Sequence, residues 1–335
     1  MTGTLQDGAP RPKLLITRRV FPEVLERLAP HFEIASNQAD DEWPAEELRR
    51  RVADREALFV VASDRVDAAL LDAAPHLRIV STGSVGYNHV DLQACRARGI
   101  VVGNTPDVLT EATADMAWTL LMAAARRVAE SERWLRDGRW KRWAFDQFLG
   151  ADVFRSTLGI IGMGRIGSAI ARRARGFEMT VLYSNRSRAR NEGELGATLV
   201  ARDDLLQRAD HVVLVLPYSQ LTHHTIGERE LGLMKPTATL VNIARGGIVD
   251  DEALAQALSQ GRIAAAGLDV YENEPAVTPA LLEAPRLVLT PHIGSATRSS
   301  RLGMAMLSAD NLVAFTLGRP LPAPVELPRE DPARP

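Results

Sequence analysis

The segment Gly162-Met163-Gly164-Arg165-Ile166-Gly167 restricts the fold of this chain more than any other, because of the patterns on either side of it. Residues 157–161 have the pattern of a short apolar strand, residues 168–176 that of a helix, and residues 179–185 that of a second strand. This order of strand, glycine turn, helix and strand is typical of a dinucleotide site. The glycines permit a tight turn, a close approach of the pyrophosphate and close packing of the helix, whose free N–H groups face the phosphates. Cofactor contacts are predicted for Gly162, Gly164, Arg165, Ile166 and Gly167.

The residues that end the second strand indicate which dinucleotide binds. An NAD site usually carries Asp or Glu about 20 residues past the glycines, where it binds the ribose 2′-hydroxyl. This chain has Ser184-Asn185-Arg186-Ser187-Arg188 there, without a carboxylate and with two guanidinium groups. Arginine binds an anionic 2′-phosphate that a carboxylate would repel. We therefore predict NADP(H) as the preferred cofactor, held by Asn185, Arg186 and Ser187. NAD(H) is the alternative if the arginines belong only to a solvated loop.

Length and composition favour a globular protein with two domains. At 335 residues the chain is long for a single core. Its 40 basic and 42 acidic residues give a net charge of −2, so nothing indicates a nucleic-acid or anionic-membrane partner. The single cysteine, Cys95, excludes an intrachain disulfide and suits a packed thiol in a reducing compartment. No secretory signal pattern is visible and the longest apolar stretch, residues 117–125, is too short to span a bilayer, so a cytoplasmic protein is expected.

Short apolar strands alternate with helical patterns along most of the chain, which predicts parallel sheets covered by helices on both faces. The predicted strands are residues 13–17, 32–35, 58–62, 78–82, 100–104, 158–161, 180–184, 211–216, 239–244, 265–270 and 287–290. The predicted helices include residues 22–29, 45–53, 66–73, 91–98, 111–136 and 300–317. We assign residues 106–294 to a nucleotide domain, residues 1–105 with 295–318 to a substrate domain, and residues 319–335 to a poorly ordered tail. Both domains are predicted to be doubly wound α/β units, with the substrate expected between them.

Polar side chains of three chemical kinds follow strands of the predicted nucleotide domain. Arg245 follows the strand at 239–244, and His292 follows the strand at 287–290. Asp269 lies at the end of the strand at 265–270, and Glu274 lies in the loop after it. Because the carboxyl ends of parallel strands share one edge of a sheet, these side chains are expected to lie close together. Each has an ordinary structural alternative, but together with the glycine motif they favour a catalytic set.

Four stretches resemble the D-isomer-specific 2-hydroxyacid dehydrogenases, and the resemblance covers nearly all of the chain. They are the glycine motif, residues 242–246 (Asn-Ile-Ala-Arg-Gly), residues 267–275 (Gly-Leu-Asp-Val-Tyr-Glu-Asn-Glu-Pro) and residues 291–295 (Pro-His-Ile-Gly-Ser). Residues 184–187, 295–297 and 301–305 are most similar to bacterial glyoxylate/hydroxypyruvate reductases, some of which also reduce 2-ketogluconate. The resemblance implies a Rossmann nucleotide domain inserted into a flavodoxin-like substrate domain, a homodimer and a small 2-keto acid substrate.

The resemblance also implies that Arg245, Glu274 and His292 are the catalytic residues, and their chemistry suits the task. A guanidinium fork can bind the carboxylate and the carbonyl of a 2-keto acid together. Protonated His292 can donate to the carbonyl oxygen as general acid, while Glu274 binds the other ring nitrogen. Substrate contacts are predicted for Val85 and Gly86, through free N–H groups, and for Arg245, His292 and Ser295. Further cofactor contacts are predicted for Thr113, Pro217, Ile243, Gly294 and Asp269, the last of these at the nicotinamide carboxamide.

The sequence leaves other functions open. An NAD-dependent D-lactate or D-glycerate dehydrogenase is the nearest alternative, and the missing carboxylate at Asn185 opposes it. A nucleotide-sensing scaffold, as in the corepressors of the family, would keep the fold without turnover. The adjacent pair His223-His224 has no cluster of carboxylates or cysteines near it in the sequence, so no metal site is predicted. The aromatic segment at residues 139–145, which includes Trp140 and Trp143, favours a subunit interface.

Overall fold

The computed structural model of the protein describes residues 10–326. The chain divides into two compact units, one formed by Met1–Leu109 with Thr297–Pro335 and the other by Thr110–Ala296. The second unit is thus inserted into the sequence of the first. Among residues 10–326, no helix is long and apolar enough to cross a membrane.

Strands and helices alternate along the described residues. The strands are β1 Lys13–Ile16, β2 Glu33–Ser36, β3 Ala57–Val60, β4 Ile79–Thr82, β5 Val101–Gly103, β6 Thr157–Ile161, β7 Thr180–Ser184, β8 Ala197–Leu199, β9 His211–Leu214, β10 Thr239–Asn242, β11 Ala265–Leu268 and β12 Leu287–Leu289. The helices are α1 Pro22–Leu28, α2 Ala45–Val52, α3 Ala68–Asp72, α4 Leu92–Ala97, α5 Thr110–Ala125, α6 Val128–Arg136, α7 Arg165–Ala174, α8 Glu192–Leu195, α9 Arg202–Arg208, α10 Glu228–Leu233, α11 Asp251–Ser259, α12 Pro279–Glu283 and α13 Arg298–Thr316. A 3-10 turn at Arg175–Phe177 follows α7.

The described part of the first unit forms a parallel sheet of five strands in the order β2-β1-β3-β4-β5. Every residue of β3 and β4 is buried, because the sheet carries a separate apolar cluster on each face. One cluster contains residues of α2, α3 and α4, and the other contains residues of α1 and α13. The strand order is that of flavodoxin-like proteins.

The final helix, α13, packs on the first unit although it follows the second unit in sequence. Ser308 donates its hydroxyl hydrogen to Ser81 Oγ at 2.8 Å, and Ser81 Oγ donates to Ser308 O at 3.0 Å. Asn311 Nδ2 donates to Asn104 O at 3.1 Å. A Cβ on Gly103 would lie 2.7 Å from Asn311 Nδ2, so only glycine lets α13 approach β5 this closely.

The tail predicted to be poorly ordered is in part a paired segment. Asn104 N donates to Ala323 O at 3.1 Å, and Val325 N donates to Val102 O at 2.8 Å. Ala323 N donates in turn to Asn311 Oδ1 at 2.9 Å. The segment covers β5 at the edge of its sheet, where backbone groups would otherwise lack partners. The prediction for residues 327–335 lies outside the described residues.

Cys95 lies in α4 and is fully buried. Burial raises the pKa of its thiol to about 11, and the negative charge of Asp91 adds to the shift. Because the thiolate is the reactive form of cysteine, this side chain is a packed apolar group at neutral pH, as predicted.

The second unit, all of which is described, forms a parallel sheet of seven strands in the order β12-β11-β10-β9-β6-β7-β8. The strand order reverses where β6 and β9 lie side by side. In a doubly wound sheet, ligands bind beyond the carboxyl ends of the strands at such a reversal. The predicted fold class, with a Rossmann domain inserted into a flavodoxin-like domain, is therefore confirmed.

The helix predicted over residues 111–136 is wrong, because α5 ends at Ala125 and α6 begins at Val128. Arg127 between them has a φ of 54°, in the left-handed region. Ala151 N donates to Ala125 O at 2.9 Å, and a Cβ on Gly150 would lie 2.3 Å from that oxygen. The returning chain therefore occupies the space beside the last turn of α5, and the helix cannot continue straight.

The strand β8 was not predicted from the sequence pattern. Its three residues are too few to show an alternation of apolar and polar side chains, and it pairs with β7 at the edge of the sheet. Gly196, with a φ of 63°, ends α8 immediately before it.

Candidate active site

The glycine turn joins β6 to α7, and a Cβ at each of its three glycines would meet a different environment. Gly162 has a φ of 107°, and a Cβ there would lie 2.7 Å from Val215 O. A Cβ on Gly167 would lie 2.4 Å from Gly162 O, so this glycine lets α7 pack on the turn. A Cβ on Gly164, which caps α7, would meet no atom within 4 Å. The turn therefore leaves open space at the start of a ten-residue helix, which fits the pyrophosphate of a dinucleotide. The first two residues of that helix are the predicted contacts Arg165 and Ile166.

Asn185 closes the glycine turn from the neighbouring strand β7. Met163 N donates to Asn185 Oδ1 at 2.7 Å, and Asn185 Nδ2 donates to Met163 O at 3.3 Å. An aspartate could accept the first bond, but its second oxygen would face the carbonyl oxygen of Met163. The neutral amide therefore has a structural role in the turn, in addition to the cofactor contact predicted from the sequence.

The loop after Asn185 is fixed at its far end by Tyr183. Ala189 N donates to Tyr183 Oη at 2.9 Å, and Tyr183 Oη donates to Glu192, which also pairs with Arg188. Burial and the hydrogen bond to Glu192 raise the pKa of Tyr183, so the phenol stays neutral. Arg186 and Ser187 are exposed between these two fixed points, and their side chains face solvent where the sequence predicts the 2′-phosphate.

Arg245 follows β10 in a turn that Asn242 holds. Asn242 is almost fully buried, with Ala244 N donating to its Oδ1 at 3.0 Å and its Nδ2 donating to Arg245 O at 3.2 Å. The Arg245 guanidinium donates to Ala244 O at 2.7 Å. Burial lowers the pKa of Arg245, but arginine starts so high that the group stays cationic at neutral pH. The role of Asn242 was not predicted from the sequence, although a buried asparagine at the end of an apolar strand must find hydrogen-bond partners.

Glu274 and His292 form an ion pair across the loops that follow β11 and β12. His292 Nδ1 lies 2.7 Å from Glu274 Oε2, and Tyr271 N donates to Glu274 Oε1 at 2.9 Å. Burial opposes ionisation of Glu274, yet the bond with His292, that from Tyr271 and the charge of Arg245 together hold the pKa of this carboxyl below its usual range. Because Nδ1 is bonded to Glu274, the imidazole ring is held in one orientation and its Nε2 is directed away from the pair.

Asp269 is buried at the end of β11 and holds the histidine loop. Its Oδ1 accepts from Thr290 Oγ1 at 2.6 Å and from Ile293 N at 2.8 Å, while its Oδ2 accepts from Gly294 N at 2.7 Å. His292 N also donates to Asp269 O at 3.0 Å. His292 has a φ of 52°, a conformation that costs a residue with a Cβ about 1 kcal/mol, and these hydrogen bonds offset that cost. The predicted contact of Asp269 with the nicotinamide stays a prediction, and the side chain has a further role in placing His292.

The other predicted cofactor residues of the second unit lie along the same edge of its sheet. Pro217 follows β9 and Ile243 follows β10, while Ser295, predicted as a substrate contact, ends the histidine loop. A Cβ on Gly294 would lie 3.0 Å from Asp269 Oδ2 and 3.6 Å from Thr113 Cγ2, so Thr113 of α5 packs beside the histidine loop. The carboxyl ends of β6, β7, β9, β10, β11 and β12 thus carry the candidate residues of this unit.

In the first unit, the turn at Val85 and Gly86 has both of its carbonyl groups bound by side chains. Ser84 Oγ donates to Gly86 O at 2.6 Å, and Asn104 Nδ2 donates to Val85 O at 2.9 Å. Thr82 Oγ1 lies 2.8 Å from Ser84 Oγ and holds that hydroxyl in turn. Because Val85 O is held, the peptide group that carries the Gly86 N–H has a fixed orientation, as a loop that binds a carboxylate through N–H groups requires. Sequence reasoning missed Ser84 and Asn104.

The pair His223-His224 has carboxylates close to it, contrary to the expectation from the sequence. The two imidazole rings stack with centroids 3.8 Å apart, and His224 Nε2 is hydrogen-bonded to Glu272. Among residues 10–326, no group of three or more His, Cys, Asp or Glu side chains is arranged to hold a metal ion. The local sequence could not show Glu272, which lies 48 residues further along the chain.

Comparison with known proteins shows that most of the chain matches members of a single family. Residues 118–294 match the model of the D-isomer specific 2-hydroxyacid dehydrogenase NAD-binding domain. A glyoxylate reductase of Thermococcus kodakarensis is 51% identical over 313 residues, which are 92% of this chain and 94% of that protein. A glyoxylate reductase of Pyrococcus furiosus is 47% identical over 92% of this chain and 93% of its own length.

Solved structures agree with this comparison. An NADPH-dependent glyoxylate/hydroxypyruvate reductase from Sinorhizobium meliloti, in complex with NADP and malonate, superposes with a TM-score of 0.83 at 38% identity. The match covers 94% of this chain and 97% of that one. A glyoxylate reductase from Paecilomyes thermophila superposes with a TM-score of 0.86 at 34% identity, covering 95% of this chain and 99% of that one.

Proposed function

Because the chain belongs to the D-isomer-specific 2-hydroxyacid dehydrogenase family and is an oxidoreductase, we propose that it reduces glyoxylate and hydroxypyruvate with NADPH. The products are the corresponding 2-hydroxy acids, of D configuration where the carbon is chiral, and 2-ketogluconate is a further candidate substrate. The observation that carries the proposal is the ion pair of His292 and Glu274, 2.7 Å apart at the sheet edge that also carries Arg245. The names of the similar reductases support it.

Arg245 is the residue proposed to bind the substrate. Its guanidinium presents several N–H donors in one plane, which suits the adjacent carboxylate and carbonyl of a 2-keto acid. The turn held by Asn242 orients this group, since both backbone partners of the Asn242 side chain flank Arg245. The backbone N–H groups of Val85 and Gly86 are proposed to bind the substrate carboxylate from the substrate domain, residues 1–105 with 295–318.

His292 is the proposed general acid. When bound in the coenzyme domain, residues 106–294, a reduced nicotinamide would supply a hydride to the carbonyl carbon. Protonated His292 donates from Nε2 to the carbonyl oxygen as negative charge develops there, because Nδ1 is already bonded to Glu274. In the oxidation direction the neutral ring accepts the hydroxyl proton. Glu274 keeps the ring oriented through its bond to Nδ1.

The preference for NADPH is proposed from the loop that follows β7. Asn185 uses its amide within the glycine turn and brings no negative charge toward the ribose. Arg186 comes next and is exposed, between the positions fixed by Asn185 and by Tyr183. A guanidinium here would bind the 2′-phosphate of NADP(H), which NAD(H) lacks.

Replacing Arg186 by alanine should raise KM for NADPH by about tenfold to a hundredfold and leave KM for NADH nearly unchanged, since one charge-assisted contact is worth about 1.5–3 kcal/mol. Initial rates with each coenzyme at saturating hydroxypyruvate measure the effect. Arg262→Ala, which removes an exposed arginine paired with Glu228, is the matched control and should change neither constant. A parallel loss for both coenzymes would remove the argument for the 2′-phosphate.

The function itself is tested by absorbance at the reduced-nicotinamide band. Hydroxypyruvate, glyoxylate, 2-ketogluconate and pyruvate are each offered with NADPH and with NADH. Rapid oxidation of NADPH with hydroxypyruvate or glyoxylate is expected. Activity with NADH alone would instead assign an NAD-dependent D-2-hydroxyacid dehydrogenase. Tight coenzyme binding without turnover on any substrate would favour a sensor of nucleotides.

We also propose a homodimer, from the aromatic segment at residues 139–145, and a cytoplasmic location, which the single cysteine supports. Trp140, Trp143 and Phe145 are exposed by 55%, 66% and 88%, far more than isolated aromatic side chains usually are. The rings of Trp143 and Phe145 contact each other edge to face, with centroids 4.5 Å apart. Neighbouring exposed aromatics of this kind are enriched at subunit interfaces.

The double variant Trp143→Ser with Phe145→Ser should therefore shift the protein from dimer to monomer at micromolar concentration. Sedimentation equilibrium measures the mass. A comparable change at Phe154, which is 53% exposed but lies outside residues 139–145, serves as the control and should leave the dimer intact. A wild-type protein that sediments as a monomer would refute the proposal.

A further inference from the structure

His224 lies in the turn between β9 and α10 and contacts the turn that carries Arg245. His224 N donates to Gly247 O at 2.8 Å, two residues past Arg245. The chain then continues with Ile226 N donating to Ile248 O at 3.1 Å. His224 itself has a φ of 47°, in the left-handed region. The turn of His224 is therefore attached by its backbone to the segment that follows the arginine.

The imidazole of His224 contacts the other catalytic segment. Its Nε2 is hydrogen-bonded to Glu272 Oε1, and its Nδ1 lies 3.7 Å from Asp250 Oδ2. Glu272 precedes Glu274 by two residues in the same loop. His224 thus joins two segments. Its backbone N–H binds the segment after β10, and its imidazole binds the loop after β11.

Glu272 is held through its backbone as well as through its side chain. Glu272 N donates to Asp251 Oδ2 at 3.1 Å, and the hydroxyl of Thr278 donates to the same oxygen at 3.4 Å. Asp251 is 3% exposed, and burial raises the pKa of its carboxyl to about 6. The backbone N–H of Glu272 is therefore bound by the buried carboxylate of Asp251, which restricts movement of the loop.

The two joined segments also touch each other directly beside the catalytic side chains. A Cβ on Gly246 would lie 1.6 Å from Tyr271 O, so only glycine permits this contact. Tyr271 N donates to Glu274 Oε1, and Glu274 Oε2 pairs with His292. A displacement of the loop that carries Glu272 would therefore change the positions of Arg245 and Glu274 relative to each other.

We propose that His224 is a positioning residue for the reaction: its hydrogen bond to Glu272 ties the Arg245 turn to the Glu274 loop. This inference rests on the proposed function, because it takes Arg245, Glu274 and His292 as the reacting set. His224 acts through Glu272 and the backbone. The stacked neighbour His223, whose Nδ1 lies 3.3 Å from Tyr218 Oη, supports the ring from one side without contacting the carboxylates that hold it.

The test compares His224→Ala, His224→Gln and Glu272→Ala with wild type, and uses His223→Phe as the matched control that keeps an aromatic ring in the same turn. His224→Ala should lower kcat about tenfold or more, because small displacements of catalytic groups cost at least that much. The dissociation constant of NADPH, measured by quenching of protein fluorescence, should change less than twofold. His224→Gln, whose amide can still donate to Glu272, should recover most of the rate. His223→Phe should retain it.

A double-mutant cycle and an activity-independent measurement complete the test. The losses from His224→Ala and Glu272→Ala should be strongly non-additive, since both remove one interaction. Amide hydrogen exchange at residues 271–274 should be at least severalfold faster in His224→Ala and unchanged in His223→Phe. Wild-type rates in His224→Ala, additive losses, an equal loss in His223→Phe, or a parallel loss of NADPH binding would each overturn the inference.

The two proposals fail in different ways. Faster amide exchange at residues 271–274 in His224→Ala, with a wild-type protein that reduces no keto acid, would keep the structural tie and reject the proposed reaction. An active wild-type enzyme whose rate and exchange are both unaffected by His224→Ala would keep the reaction and reject the positioning role.

Discussion

Replacing His292 by glutamine should lower kcat for keto-acid reduction by about a hundredfold or more, the scale on which general acid catalysis contributes. Glutamine can still hydrogen-bond Glu274, but its amide has no proton to release at neutral pH. The glycine turn lies on another part of the sheet edge, so the dissociation constant of NADPH should change less than twofold. Steady-state rates with hydroxypyruvate and a fluorescence titration with NADPH measure both quantities.

The control for this substitution is His76→Gln, which changes an exposed histidine of the first unit. It should leave kcat and coenzyme affinity at their wild-type values. If His292→Gln retained a kcat within a few-fold of wild type, His292 would not be the proton donor. Water, or another side chain, would then have to supply the proton.

The second large effect is expected from Arg245→Lys, which keeps the charge and removes the planar fork. We expect kcat/KM for hydroxypyruvate to fall about a hundredfold, with most of the loss in KM, because an ammonium cannot bind carboxylate and carbonyl in the same fixed geometry. The bond from the guanidinium to Ala244 O, 2.7 Å long, would also be lost and with it part of the orientation of the side chain.

Arg208→Lys is the matched control, since Arg208 is an exposed arginine paired with Asp204 within α9. That change should alter neither the keto-acid nor the coenzyme constants. If Arg245→Lys weakened NADPH binding as much as it weakened the use of hydroxypyruvate, the damage would be general. The role of Arg245 in binding the substrate would then be refuted.

The residues whose chemistry is local were predictable from the sequence. The glycine turn shows its function through the spacing of three glycines between a strand and a helix. Arg245, Glu274 and His292 could be placed together because each follows an apolar strand of one parallel sheet, and the ends of such strands share an edge. Neither inference needs knowledge of a specific long-range contact.

The residues that support them depend on contacts between distant segments. Asn104 binds the carbonyl oxygen of Val85, 19 residues earlier in the chain, a role that becomes visible only when the turn is folded. The bond of His224 with Glu272 joins positions 48 residues apart, and no local pattern encodes that separation. The end of α5 at Ala125 is likewise imposed by Gly150 and Ala151, which return to it from a later segment.

The carboxylate of Asp269 accepts three hydrogen bonds, and this bears on how the protein could change during evolution. The proposed proton donor is preorganised by folding, since Asp269 holds the loop of His292 through hydrogen bonds within the protein. Asp269, Arg245, Glu274 and His292 all belong to Thr110–Ala296, one uninterrupted piece of chain. Val85 and Gly86, proposed to bind the substrate carboxylate, belong to the other unit, so on the proposed function substitutions around them would alter which keto acid is accepted while the proposed reacting set stays intact.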